Sequence, residues 1–205
     1  MLQGALFSAG RPHVVDEAAP ERVALGAGAW VEVRRGWMGG ADELFERLMT
    51  EVPWRAERRP MYDRVVDVPR LLCFYGDGEP LPDPVLRDMR DALNEIYAQD
   101  LGAEPLRTVG LCLYRGGDDS VAWHGDRIGR GSTQDTVVAI VSLGSPRRFL
   151  LRPRGGGPAH RYVLGPGDLV VMGGSCQRTW EHAVPKTLRP VGPRISVQFR
   201  PRGVR

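Results

Sequence analysis

The chain has 205 residues, 42% hydrophobic and 26% charged, with a formal net charge of +3. This length and apolar content can bury one substantial core. No run approaches a transmembrane helix, and the first nine residues lack the basic start and long apolar stretch of a secretory signal. Cys73, Cys112 and Cys176 show no paired spacing; that argues against a zinc cluster and fits a reducing cytoplasm, where the protein is expected to act as a monomer away from membranes.

In chain order, residues 1–28 are rich in Ala, Gly and Pro without sustained periodicity. They read as a flexible N-terminal arm ahead of a single domain over 29–205. A short strand is expected at 30–33, followed by a helix over 41–52 with Leu44, Phe45, Leu48, Met49 and Val52 on one face. Residues 54–80 form a separate segment, in which Arg55, Arg58, Arg59 and Arg64 surround Met61 and Tyr62. Basic groups interleaved with an aromatic suit a lip that tracks phosphates and stacks a base; an ordinary solvated Arg-rich edge has the same composition. Asp83-Pro84 makes an N-cap and N1 pair for a second helix reaching about Leu101, with Val85, Leu86, Met89, Leu93, Ile96 and Tyr97 as its buried stripe. Strands are then expected at 108–115, 121–126, 136–143, 148–152, 160–164, 168–172 and 194–200, separated by Gly- and Pro-rich turns. Many short strands with such turns indicate a double-stranded β-helix, or cupin-like jelly roll, with a core over 107–202. The fold class is therefore mostly β with flanking helices.

Chemistry enters at His124-Gly125-Asp126. In a strand, residues i and i+2 share a face, so both side chains can reach one metal while Gly125 points away. His182 lies 56 residues beyond Asp126, far enough for the chain to form several strands and return. Two histidines and one carboxylate are the set that holds Fe(II) with coordination positions left open. A bare His-x-Asp also suits a structural or surface pair.

Arg194-Ile195-Ser196-Val197-Gln198-Phe199-Arg200 alternates polar and apolar, which places both guanidiniums on one face. At strand rise they stand roughly 20 Å apart, too far to share one carboxylate but placed to approach opposite ends of a small dicarboxylate. A strand with a solvated basic face is the alternative. Lys186 is the only lysine among 28 basic residues; genome composition explains that skew, which still supplies many groups suited to phosphate.

Leu113-Tyr114-Arg115, Asp119 through Asp126, Ser142-Leu143-Gly144, Arg148-Phe149, Gly167-Asp168-Leu169, Trp180-Glu181-His182 and Arg194-x5-Arg200 occur here in the order found in the AlkB family, which the chain resembles from about Pro69 to Arg202. The resemblance implies an Fe(II)- and 2-oxoglutarate-dependent dioxygenase that consumes O₂ and demethylates alkylated nucleobases in DNA or RNA, with DNA the favoured partner. Hydroxylation of an N-methyl carbon would give a hemiaminal that loses formaldehyde. The resemblance makes His124, Asp126 and His182 the catalytic iron ligands, Tyr114 and Arg194 contacts of the remote 2-oxoglutarate carboxylate, and Arg200 a second residue of that site. Cys112 and Ser196 stand where the family commonly has Asn, and Ile128 stands where several members read the exocyclic amine of the base with an acid.

Arg70 and its neighbours also resemble AlkB relatives, but the aromatic hairpin that often follows is replaced by Asp77-Gly78-Glu79-Pro80. Tyr62 and Tyr75 become the candidates to stack the flipped base, with Arg59, Met61 and Arg70 beside them. A related oxygenase acting on a protein or small molecule, or a metal-binding cupin without catalysis, are the competing classes. At the N-terminus, Gln3, Leu6 and Phe7 resemble the Gln-x-x-Leu-Phe peptides that dock on the replication sliding clamp; packing of Leu6 and Phe7 on the domain surface is the simpler reading.

Overall fold

A computed structural model describes residues 10–61 and 64–204, with backbone alone at 59–61 and 64–66. Its first half contains β1 (His13–Val14), β2 (Pro20–Gly26), β3 (Ala29–Arg34), β4 (Met38–Gly39), α1 (Ala41–Glu51), β5 (Arg55–Met61), β6 (Arg64–Tyr75), α2 (Val85–Ile96) and α3 (Ala98–Leu101). There follow β7 (Leu106–Tyr114), β8 (Val121–His124), β9 (Val138–Gly144), β10 (Arg147–Pro153), β11 (His160–Leu164), β12 (Leu169–Gly173), α4 (Cys176–Thr179), β13 (Trp180–Val184) and β14 (Arg194–Pro201).

Strands β7 to β14 distribute themselves between two sheets in the expected jelly roll. The major sheet runs β2-β3-β12-β9-β14-β7-β6-β5 and the minor sheet β11-β10-β13-β8. Period-two alternation sorts each central strand of the major sheet into two faces. Leu111, Leu113, Ala139, Val141, Ile195, Val197 and Phe199 face a core completed by α1 and α2. Cys112, Tyr114, Val138, Ile140, Val170 and Met172 face inward, toward Phe149 and Leu151 of the minor sheet. Both helices therefore brace one side of one sheet, leaving the space between the sheets for polar side chains. Among the described residues no helix is long and apolar enough to cross a membrane.

Three expectations need correction, and the 54–80 segment gains a structure. Within the arm read over 1–28, β1 pairs with β4 and β2 with β3; residues 1–9, with Gln3, Leu6 and Phe7, lie outside the described residues. Most of β2 is exposed, so backbone pairing holds it and no burial pattern announces it.

The helix expected to reach Leu101 breaks at Tyr97, whose φ of −104° departs from helical geometry. No Gly or Pro causes the break. The Tyr97 hydroxyl donates to Glu32 Oε1 at 2.6 Å, and Arg22 and Arg34 bond the same buried carboxylate. That cluster fixes the ring and with it the helix end.

The segment over 54–80 is largely a hairpin, with β5 on β6 and β6 on β7 extending the major sheet at one edge. Finally, β8 ends at His124. Asp126 therefore reaches its place from a turn and not from the strand expected over 121–126.

Candidate active site

The two histidines come together because β8 and β13 are neighbours, with His124 directly opposite His182. Their ring centroids are 4.2 Å apart. Asp126 joins them from the turn after β8, and ligand atoms of all three residues lie within 4.8 Å of one another.

The turn is fixed from behind. Gln177, 1% exposed, accepts a hydrogen bond from the Asp126 amide at 2.8 Å. A Cβ on Gly125 would stand 2.4 Å from the Gln177 carbonyl oxygen, so the residue between the ligands must be glycine for the turn to pack there. Sequence spacing did not reveal Gln177, because its contact crosses 51 residues.

The donor set suits a divalent iron. His124 Nδ1 lies 2.9 Å from the Ala122 carbonyl, which can only accept, so this nitrogen carries a proton and Nε2 is the atom turned toward Asp126. Burial, assisted by the like charge of His124, pushes His182 down to about 3 and keeps its imidazole neutral. For Asp126, burial alone would raise the carboxyl; Arg200, His182 and His124 outweigh it and hold the group well below the usual carboxylate range. Two imidazoles and an anion are thus presented to one point.

Arg194 and Arg200 do share a face of β14, as the alternation predicted, but they differ in employment. Arg200 Nε donates to Asp126 Oδ2 at 2.6 Å and its Nη2 to Gln198 Oε1 at 2.7 Å. It is a partner of the metal carboxylate. Gln198 in turn donates to Ser196 Oγ at 3.0 Å and Cys112 Sγ at 3.1 Å, so these two candidates support the Arg200 end through Gln198.

Arg194 is 1% exposed and donates to Ser142 Oγ at 2.8 Å, while among the described residues its buried Nε and Nη1 have no acceptor in good hydrogen-bond geometry. Burial drives this guanidinium below its ordinary value, against the pull of Tyr114 and Cys112. The Tyr114 ring lies 5.2 Å from Arg194 Cζ. Buried donors without acceptors require an anion, and the remote carboxylate of 2-oxoglutarate fits them.

The loop that carries Tyr114 toward β8 is stapled by Arg147, which donates to the carbonyls of Gly116, Asp119 and Pro185. Asp119 closes the same loop by pairing with Arg115 at 2.8 Å.

The substrate candidates divide. Arg70 donates to the Ser120 carbonyl at 3.1 Å, and its charge is felt at both Tyr114 and His182. Tyr75 does not reach the site: with Leu71 and Cys73 it packs on the helix side of the major sheet, the face turned away from iron. Phe74, 46% exposed, follows Leu72 on the opposite face and was missed because it sits inside an unbroken apolar run. Tyr62 and the side chains of Arg59 and Met61 lie outside the described residues. Ile128 is 70% exposed. A cavity of about 240 Å³ opens beside His124, lined also by Gly125, Arg127, Arg154 and Glu181.

A jelly roll whose inner face gathers two histidines and a carboxylate, beside a buried arginine awaiting an anion, defines the class of Fe(II) oxygenases that use a 2-oxo acid and O₂. The sequence model described as the 2OG-Fe(II) oxygenase superfamily matches residues 39–200, and the chain belongs to that family. It is 33% identical over 185 residues to the alpha-ketoglutarate-dependent dioxygenase alkB homolog 3 of Bos taurus, covering 78% of this chain and 61% of that one. To the DNA oxidative demethylase ALKBH2 of Homo sapiens it is 28% identical over 183 residues, covering 78% of this chain and 68% of that one. The fold is shared with a prolyl hydroxylase from Trichoplax adhaerens at a TM-score of 0.62 and 11% identity, covering 83% of this chain and 82% of the other. The chain thus spans about three fifths of the length of the cattle relative.

Proposed function

We propose that this protein demethylates alkylated nucleobases by oxidation, with DNA as the substrate over RNA. The observation that carries the reading is the pairing of the His124–Asp126–His182 set with the acceptor-free donors of Arg194. A structural metal site has no use for a buried anion receptor. The likeness to relatives named as a dioxygenase and as a DNA oxidative demethylase supplies the substrate class.

When bound, Fe(II) with 2-oxoglutarate and O₂ supplies an oxidant able to hydroxylate a C–H bond. His124, Asp126 and His182 would hold the iron, and Arg194 with Tyr114 would orient 2-oxoglutarate by its far carboxylate. Burial of His182 and Asp126 keeps water from the ligands. An N-methyl carbon turned into the cavity beside His124 would be the group oxidised, and the resulting hemiaminal collapses to the base and formaldehyde. A base stacked in a duplex cannot reach that cavity, so it is flipped or single-stranded.

Incubating the iron-loaded protein with 2-oxoglutarate and oligonucleotides carrying single N-methyl lesions tests the reading. Formaldehyde and succinate are expected in equal amounts. Succinate that no methylated oligonucleotide stimulates points to a protein or small-molecule substrate instead.

The N-terminal residues Gln3, Leu6 and Phe7 extend the proposal to docking on the sliding clamp, with a few apolar anchors carrying the affinity. A peptide of residues 1–12 should bind the clamp and lose binding on joint Leu6→Ala and Phe7→Ala substitution. We extend the proposal to a monomer acting in the cytoplasm.

A further inference from the structure

Beyond β14 the chain turns back onto the loop that carries Asp126. We propose that Arg202-Gly203-Val204 is a positioning element for the iron carboxylate, with Val204 as its key residue. This rests on His124, Asp126 and His182 as the iron site.

β8 ends at His124, so Asp126 lies beyond the ladder that aligns the two histidines. Gln177 supports the turn at the Asp126 amide. The residues that follow are held by the segment after β14. Gly129 forms an isolated β-bridge with Val204, and the Arg130 amide donates to the Gly203 carbonyl at 3.0 Å. Gly131 lies between Asp126 and Val204: a Cβ there would stand 2.1 Å from the Asp126 carbonyl oxygen and 3.5 Å from Val204 Cγ1. Val204 is 2% exposed and belongs to the inner cluster between the sheets. Its contact with Gly131 therefore reaches the backbone of the iron ligand through a single residue without a side chain.

The same stretch of chain also holds the other end of that ligand. Arg200, four residues before Val204, donates to Asp126 Oδ2 at 2.6 Å. Asp126 is thus gripped at its carboxylate by Arg200 and at its carbonyl, through Gly131, by Val204. The arrangement is tied down around its rim. Arg130 reaches Glu104 Oε1 at 2.7 Å and Gln134 Oε1 at 2.8 Å, and Arg202 pairs with Asp77 of the loop after β6. A carboxylate fixed at both ends gives up little freedom when a metal arrives, so the clamp raises iron affinity. A cavity of about 50 Å³, lined in part by Leu101, Val137 and Pro201, adjoins Val204 and leaves space for the extra methylene of isoleucine.

The test titrates Fe(II) without oxygen, and Co(II) as a probe whose visible spectrum reports ligand geometry, into the full chain and its variants. Val204→Ala should weaken Fe(II) binding by about 10-fold and alter the cobalt spectrum. Val204→Ile should stay within about 3-fold of the unsubstituted protein. Gly131→Ala acts on the same contact from the other side and should weaken iron at least as much as Val204→Ala. Val33, 1% exposed in the same cluster, stands on β3, three strands from β14. Val33→Ala should lower stability as Val204→Ala does, with iron affinity unchanged. Iron binding in Val204→Ala or Gly131→Ala as tight as in the unsubstituted protein, an unchanged cobalt spectrum, or equal weakening in Val33→Ala overturns the positioning role alone. Failure of the unsubstituted protein to bind either metal overturns the triad assignment with it.

Discussion

The two arginines of β14 are chemically alike and six residues apart, yet they stand in opposite conditions. Arg200 has a carboxylate and an amide oxygen on its guanidinium, whereas Arg194 has one serine hydroxyl and, among the described residues, two buried donors without well-placed acceptors. A buried charge with its counter-ion is structure; a buried charge lacking one is a receptor. The difference arises across the sheets, since the turn after β8 delivers Asp126 to one end of β14 and nothing acidic to the other.

The harshest way to break this contrast is to remove the shared anion. Asp126→Ala should abolish turnover, because the metal loses its only anionic protein ligand and Arg200 its counter-ion. Near-normal succinate production at saturating iron would refute the triad assignment.

Next comes a reversal of sign. Arg200→Met leaves Asp126 buried without its cation and should destabilise the metal-free protein by about 3–5 kcal/mol, read by chemical denaturation. Arg194→Met removes an uncompensated buried charge and should instead stabilise the metal-free protein. A shift of the same sign in both would erase the distinction.

A gentler exchange sharpens it. Arg194→Lys keeps the charge but loses the fork, so KM for 2-oxoglutarate should rise by about 10- to 100-fold while iron affinity stays near normal. An unchanged KM would move the receptor elsewhere.

Smallest in effect, Gln177→Ala leaves the Asp126 amide without its acceptor and should cost about 1–3 kcal/mol. Weaker iron binding is expected to accompany it, measurable by metal titration.

Much of this was legible from the chain. The strict alternation over 194–200 announced a strand with an apolar face, and Ile195, Val197 and Phe199 are all 0% exposed on the helix side. The triad was legible because each ligand is a rare residue type at suggestive spacing. What escaped was set by distant parts of the molecule. β13 carries His182, but Trp180-Glu181-His182-Ala183-Val184 shows no clean alternation, since its burial is decided jointly by both sheets and the site. Tyr75 was misassigned because the face of a strand depends on register, and β6 pairs Tyr75 with Val109, turning it toward the helices. The break at Tyr97 follows from a carboxylate 65 residues away. The roles of Arg194 and Arg200 were indistinguishable in one dimension, because only the cross-sheet neighbour of each tells them apart.

Insertion of β14 between β7 and β9 also bears on how the chain comes off the ribosome. Until β14 emerges, the two strands it separates present open edges, the kind of surface that recruits other chains into unwanted sheets. Both strands are made well before residue 194, so those edges stay open over that interval. Slowed translation ahead of residue 194 should therefore raise the insoluble fraction.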